Sequence, residues 1–273
     1  MSAGANKSGV NQCRVCAMAV APAFTHQLLG KYSVQYFTCS GCGLLQTEAP
    51  YWLDEAYGQP IAERDTGVVA RNLHLANVTA ALAWHLNSSE ARCLDAAGGY
   101  GLFTRLMRDI GFDYYWSDPH TPNLLARGFE AQTTSQSFEL VSAFEVLEHL
   151  ADPVGFLSNL RNRTGCHTFI TSTELYSGPP PDPDWWYYVF DTGQHIGFYQ
   201  RRTLQVIATQ LGMQLHSRRN IHVFTDRPLS ALRFRLITST RWAALMASLP
   251  KLRLRSRVWA DSQQVAAGTL TRE

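Results

Sequence analysis

The chain of 273 residues is short of net charge and of long apolar runs. Its 24 Lys and Arg stand against 22 Asp and Glu, a formal net charge of +2. That balance does not by itself imply a nucleic-acid partner. No uninterrupted apolar run reaches membrane-spanning length. The N-terminal MSAGANKSGVNQ lacks the apolar core of a secretory signal, so a cytoplasmic location is expected. No internal repeat or long low-complexity tract is present. Two nucleotide motifs are missing as well. No Gly-Lys-Ser/Thr ending occurs, which excludes a P-loop. The glycine-rich turn Gly99-Tyr100-Gly101 is followed by Leu102, Phe103 and Thr104, so the third glycine of a dinucleotide fingerprint is absent.

What is present is most informative from Leu94 to Pro119. Arg92 to Ala96 is a short, mostly apolar run, as expected of a strand buried on both faces. Ala97, Gly98, Gly99 and Gly101 make a turn with little side-chain bulk, where backbone N–H groups can approach a ligand. Leu102, Phe103, Leu106, Met107 and Ile110 follow at helical spacing, and Gly111 ends the helix. Tyr114 to Ser117 reads as the next strand, ending at Asp118, a carboxylate suited to the two hydroxyls of a ribose. Asp95 stands two residues before the turn. Its charge disfavours a bound phosphate and suits a cation. The alternative is an ordinary strand–helix–strand unit whose glycines serve packing alone.

Asp95-Ala96-Ala97-Gly98-Gly99-Tyr100-Gly101 resembles the first motif of class I S-adenosylmethionine-dependent methyltransferases. Asp118 matches that family's ribose-binding acid, and Phe138 to Leu157 resembles its fourth strand and the loop after it. The likeness spans roughly Asn72 to Thr225, and Ala97 stands where the first glycine of the turn is usual. The resemblance implies a Rossmann-like, seven-stranded α/β sheet with helices on both faces. It implies S-adenosylmethionine as cofactor, held by Asp95, Ala97, Gly98, Gly99, Gly101, Asp118, Phe144 and Glu145.

Cys13-Arg14-Val15-Cys16 and Cys39-Ser40-Gly41-Cys42 are two C-x-x-C knuckles with 22 residues between them. Four thiolates suit tetrahedral zinc, and with no His or carboxylate inside the knuckles the site reads as closed and structural. Two disulfides or a redox pair are the alternatives; a reducing compartment disfavours the first. Cys93 and Cys166 lie in or beside apolar strands and read as inert core thiols. The organisation expected is a zinc-ribbon-like module over residues 1–47, a linker or lid over 48–67, the methyltransferase domain over 68–228, and a basic helical extension over 229–273. In the linker, Tyr51, Trp52 and Tyr57 can pack the ribbon or cover the cofactor. Val68 to Leu86 reads as an amphipathic helix with Val69, Leu73, Ala76, Ala80, Ala83 and Trp84 near one face.

Further along, a helix is expected after Pro122, a weak strand near Phe129 to Gln132, and a fourth strand from Glu139 to Phe144. Asp152 and Pro153 open another helix as N-cap and first residue. A strand over His167 to Ser172 and a helix over Arg202 to Leu211 follow, then strands near Gln214 to Arg218 and His222 to Thr225. Such alternation implies a mainly parallel sheet whose ligand sits beyond the C-terminal strand ends.

Two loops are candidates for chemistry. Methyl transfer needs the acceptor aligned and, for a hydroxyl, its proton taken. His149, after Glu148, is a candidate base, or else the two brace the next helix. The loop from Glu174 to Phe198 is long for a compact domain. Its Trp185, Trp186, Tyr187 and Tyr188 offer flat surfaces for a sugar or ring, with a core-facing cluster as the alternative. His195 follows, in an element that resembles a His-aromatic segment of methyltransferases associated with sugar and polysaccharide biosynthesis, several of which carry a paired-cysteine zinc module. The resemblance makes His195 the first choice for base or acceptor-orienting group and Trp185, Trp186 and Tyr188 the acceptor-binding residues. A sugar or glycan intermediate is then the expected acceptor. RNA is disfavoured, because the loop after the fourth strand lacks a Pro-Pro-aromatic element and the ribbon is not densely basic. A non-catalytic binding or zinc-dependent assembly role is the alternative from another class. In the extension, Arg233, Arg235, Arg241, Lys251, Arg253, Arg255 and Arg257 interleave with apolar residues. That pattern suits either helices packed on the domain or peripheral contact with an anionic membrane. The last ten or so residues read as disordered.

Overall fold

A computed structural model describes residues 12–58, 66–86, 88–132, 137–239 and 242–270. Arg241 of the basic series, Pro60 of the linker and the chain's first 11 residues lie outside them. In order the elements are β1 (Ala21–Leu28), β2 (Tyr32–Thr38), β3 (Leu45–Thr47), α1 (Leu53–Ala56), α2 (Val68–His85), β4 (Arg92–Ala96), α3 (Leu102–Ile110), β5 (Asp113–Ser117) and β6 (Leu140–Phe144). Then come α4 (Pro153–Thr164), β7 (Thr168–Ser172), β8 (Gly197–Phe198), α5 (Arg201–Gln210), β9 (Gln214–Arg218), β10 (Ile221–Thr225), α6 (Ala231–Ile237), α7 (Ala243–Met246), α8 (Ser248–Arg253) and α9 (Val258–Leu270).

The main sheet has six strands in the order β5-β4-β6-β7-β10-β9. β4 pairs in parallel with β5 and β6, and β6 with β7, while β10 runs antiparallel to both β7 and β9. Side chains alternate between two apolar layers, as the two-residue period requires. Leu94, Val141, Phe169 and Phe224 enter one layer, and Cys93, Leu140, Ile170 and Val223 the other. From β4 the chain crosses to β5 on one side, and β6 lies on the other. The crevice beyond their C-terminal ends is the ligand position of an open α/β sheet. The seventh place is filled without a full strand. Trp116 and Glu130 form one parallel bridge, with Trp116 N–H donating to Phe129 O and Ala131 N–H to Trp116 O, both at 2.8 Å.

Three local expectations are corrected. Among the described residues between Pro122 and β6, no helix forms. The N–H groups of Leu124 and Leu125 donate to Tyr100 O, and that of Ala126 to Asn123 Oδ1, so these donors are already satisfied outside a helix. The buried side of α2 runs through Leu75, Ala76 and Val78 to Ala83, whereas Val69 and Leu73 are exposed. α3, α6, α7 and α8 all pack on α2, which widens its buried face beyond one stripe. The tail is helical as far as Leu270, because α9 docks on α3 through Asp261. The extension is four helices with Phe234, Ile237, Ala243 and Ala247 turned into the core and Arg233, Arg235, Arg253 and Arg255 exposed.

A second sheet has the order β1-β2-β3-β8, antiparallel throughout. Its last strand comes from the long loop, with Leu45 opposite Phe198 and Gln46 opposite Gly197. Among the described residues, no helix is long and apolar enough to cross a membrane.

Candidate active site

The turn after β4 is made by close approach. Asp95 is 2 % exposed, and its carboxylate accepts from Thr104 Oγ1 at 2.9 Å and Ser142 Oγ at 3.1 Å. Gly98 passes over it: a Cβ there would lie 2.7 Å from Asp95 Oδ2 and 2.8 Å from the Trp116 ring, so no side chain fits. Gly101 enters α3 at φ 86°, a left-handed value that glycine adopts without steric cost. Ala97 holds φ 59° without that freedom. Above Gly99 the space is open, since a Cβ there would meet nothing within 4 Å. Asp118, just past β5, ties the rim: its carboxylate accepts from Gly99 N–H at 2.9 Å and from the N–H groups of His120 and Thr121 at 2.8 Å each.

The loop after β6 lies beside this turn. Phe144 meets the Phe103 ring edge-on, with centroids 4.8 Å apart. Glu145 is held at φ 51°; its N–H donates to Ser172 Oγ at 3.0 Å, and Ser172 Oγ donates to Glu145 Oε1 at 2.5 Å. A non-glycine residue in that region is strained, a condition that clusters at functional loops. One turn of 3-10 helix, Leu147–His149, then carries Glu148 and His149 to the segment around His195. Ile196 N–H donates to Glu148 O at 2.8 Å. Tyr187 OH donates to Glu148 Oε1 at 2.6 Å. The rings of His149 and His195 meet edge to face, 4.8 Å between centroids. Burial pushes the Glu148 carboxyl up to about 7. It pushes His149 down to about 4 and, with His149 alongside, His195 down to about 3, so both rings are neutral at pH 7.

Tyr57, from the linker, joins the two halves. Its ring stacks on His120 at 5.5 Å and lies 6.3 Å from the His149 ring. A row of contacts therefore runs from Asp118 through His120, Tyr57 and His149 to His195. Trp52 takes the packing role instead: it is 1 % exposed and donates from Nε1 to Gly193 O at 2.7 Å.

The four knuckle thiols converge. Cys13 and Cys42 Sγ are 3.4 Å apart, as are Cys16 and Cys39 Sγ, and all four lie within 4.8 Å of one another. None is in a disulfide. Sulfurs about 2.3 Å from a tetrahedral zinc ion stand about 3.8 Å from each other, so the set has the dimensions of such a site. Three cysteines are buried in the same apolar layer as Leu94, Phe169 and Leu204. Arg14, inside the first knuckle, donates to Ile196 O at 3.0 Å, Thr47 O at 2.7 Å and Glu48 O at 2.8 Å.

A family described as a methyltransferase domain matches residues 68–218, more than half of the chain. The chain belongs to this methyltransferase family. No curated protein matches the sequence. Among solved structures, the magnesium protoporphyrin IX methyltransferase of Synechocystis PCC 6803 is 13% identical, with 63% of this chain and 90% of that one covered and a TM-score of 0.42. The 1,6-didemethyltoxoflavin-N1-methyltransferase of Burkholderia thailandensis is 15% identical, covers 76% of this chain and 100% of its own, and has a TM-score of 0.47. WbdD is 15% identical over 64% of this chain and 46% of its own, with a TM-score of 0.40.

The methyltransferase turn fits S-adenosylmethionine in its chemistry: open backbone above Gly99, an acid at the rim and a second acid below, with no phosphate to repel. Burial pushes the Asp95 carboxyl up to about 7. A cationic cofactor favours the ionised form. Affinity should therefore fall as pH drops below about 7, by up to roughly tenfold per pH unit, and Asp95→Asn should flatten that profile. Calorimetric titration at several pH values reads it, and a flat wild-type profile would refute the coupling. In the free protein the sign is opposite. The stability given by the neutral carboxyl is full below its unfolded value of about 3.9 and is lost as pH rises through about 7.

The aromatic loop of this methyltransferase differs from the sequence expectation. Tyr188 is 1 % exposed and its OH donates to Pro181 O at 2.8 Å. Its ring packs among Phe24, Tyr36, Phe190 and Phe198, and Trp185 joins the same cluster. Tyr188 is therefore part of the core under the small sheet, and Trp185 is half-buried beside it. Trp186 alone of the four is exposed, at 71 %. Sequence reasoning left Tyr57 between packing and covering the cofactor, and it missed Glu148 as the centre of a cluster. The adjacency of Glu148 and His149 was the available signal for the second.

Proposed function

We propose that the methyltransferase acts on a small molecule, a sugar or glycan intermediate. Its cofactor is S-adenosylmethionine, which supplies a methyl group on a sulfonium leaving centre. Asp118 and the backbone from Ala97 to Gly101 hold that cofactor, with Asp95 beneath and Phe144 and Glu145 alongside. His195 and His149 orient the acceptor or take its proton, and Trp186 offers it an exposed ring. The observation that carries this reading is the row of contacts from Asp118 to His195, because it sets polar acceptor chemistry next to the cofactor turn. Cys13, Cys16, Cys39 and Cys42 hold a structural zinc ion in this reading, within a small N-terminal module ahead of the catalytic domain.

The test is a methyl-transfer screen over nucleotide sugars, free glycans, other small hydroxylated molecules and RNA. Turnover on a sugar-containing acceptor is expected; turnover confined to RNA would reject the reading. Asp118→Ala should weaken cofactor binding by roughly tenfold or more, the worth of a lost hydrogen bond to a charged group. His195→Ala should lower turnover and leave that binding intact.

A further inference from the structure

Glu148, His149 and His195 form a cluster that the cofactor does not need and the knuckle cysteines do not touch. We propose that these three side chains bind one divalent transition-metal ion, with a coordination position left open for an oxygen of the acceptor. The proposal rests on the reading of this cluster as the acceptor side of the methyltransferase.

Three observations carry it. Each residue offers a ligand atom, and these atoms all lie within 4.8 Å of one another. On each imidazole Nδ1 faces a backbone carbonyl, which leaves Nε2 as the nitrogen able to ligate. His149 Nδ1 lies 3.2 Å from Gln194 O, and His195 Nδ1 lies 2.7 Å from Tyr187 O. A carbonyl only accepts, so both Nδ1 atoms carry the proton and both Nε2 atoms keep the lone pair. A ring N–H given to a backbone carbonyl is the usual support of a metal-binding histidine. Third, Glu148 is 0 % exposed; Oε1 accepts from Tyr187 OH, whereas among the described residues the buried Oε2 has no hydrogen-bond partner. A carboxylate oxygen without a donor in an apolar setting asks for a cation.

The donor set narrows the ion. Two imidazoles and one carboxylate suit zinc, iron(II), cobalt(II) or manganese(II) better than calcium or magnesium, which prefer oxygen alone. Three protein ligands leave a site open, unlike the closed set of four thiols. The support is independent of the cofactor turn. Glu148 and His149 stand on the 3-10 turn after β6, and His195 is placed by the β3–β8 pairing two residues on.

The experiment is cobalt(II) titration of the full-length, metal-depleted protein, followed by absorption and by metal content after desalting. Two ions per chain are expected. One gives the intense thiolate charge-transfer band of the cysteine set. The other gives only the weak visible bands of nitrogen and oxygen ligation. Glu148→Gln, His149→Ala and His195→Ala should each lose the second ion and keep the thiolate band, which reports that the fold survives. A single ion per wild-type chain, or two ions in all three variants, overturns the proposal. Calorimetry with S-adenosylmethionine and the acceptor screen on the same samples separate the two readings. Methyl transfer with one ion per chain would end the metal proposal alone. A second ion without cofactor binding or transfer would end the functional reading alone.

Discussion

Asp261→Ala is expected to cost about 3–5 kcal/mol of folding stability, the penalty for removing one partner of a buried ion pair. Asp261 is 4 % exposed and Arg108 is 2 % exposed. The guanidinium of Arg108 donates from Nε and Nη2 to the two carboxylate oxygens, both at 2.8 Å, and Arg105 Nη2 donates to Oδ2 at 2.8 Å. Burial alone would raise the Asp261 carboxyl, but hydrogen bonds from Arg108 and Arg105 outweigh it and hold the group below its ordinary value. Its contribution is therefore full above the unfolded value and lost as pH falls through the folded one. Among the described residues, Arg108 without Asp261 keeps Asp113, Tyr114 O and the rings of Phe129 at 3.6 Å and Tyr115 at 5.8 Å. Urea denaturation gives the shift in midpoint. Asp261→Leu combined with Arg108→Met should recover most of the loss, because no buried charge is then left unpaired. A loss under about 1 kcal/mol in the single variant would refute this docking of α9, since it would match an exposed pair.

Removing the zinc ion proposed for the cysteine set, by Cys39→Ser, is expected to lower turnover by on the order of a hundredfold or more. A displacement of about 1 Å at a catalytic group can do that. The route is short. Cys39 opens the turn after β2, β3 follows that turn, and β3 pairs with β8, two residues past His195. Arg14, between the first two cysteines, holds Ile196 O directly. Thr203 Oγ1 donates to Cys42 O at 2.8 Å and Tyr176 OH to Gly43 O at 2.7 Å, so the knuckles are fastened to the catalytic domain. The cofactor turn hangs on β4, α3 and β5 instead, and binding of S-adenosylmethionine should survive. Turnover and calorimetry on the same depleted sample decide the matter. Full turnover without metal would show that the knuckles do not position His195, and joint loss of binding and turnover would show general unfolding.

Where local sequence sufficed, it did so because the constraint was local. The strand, turn and helix from Arg92 to Ile110 follow from apolar periodicity and from glycines whose positions tolerate no side chain or need positive φ. Asp152 caps α4 by accepting from Gly155 N–H at 2.8 Å, three residues on, and Pro153 sits where no N–H is needed. The cysteine spacing is read in the same way, because each knuckle is four residues long. Where sequence misled, a distant partner was responsible. Tyr188 has the composition of an acceptor platform, and only β1 and β2, more than a hundred residues earlier, make it core. The helix expected after Pro122 lost its donors to Tyr100 O and Asn123, and the tail gained order from two arginines on α3.

By itself, the sequence determined the methyl-donor half of this protein: the turn from Asp95 to Gly101, Asp118, the alternating strands and helices, and the two cysteine knuckles. Each depends on residues within about one element of each other, so periodicity, glycine sterics and ligand spacing suffice. Only the tertiary structure decided the half proposed to take the acceptor. Glu148, His149, His195, Tyr57 and Arg14 come from four separate segments, and their meeting depends on a strand from the long loop pairing with the ribbon. Such contacts arise from chain topology and close packing, which no short window of sequence contains.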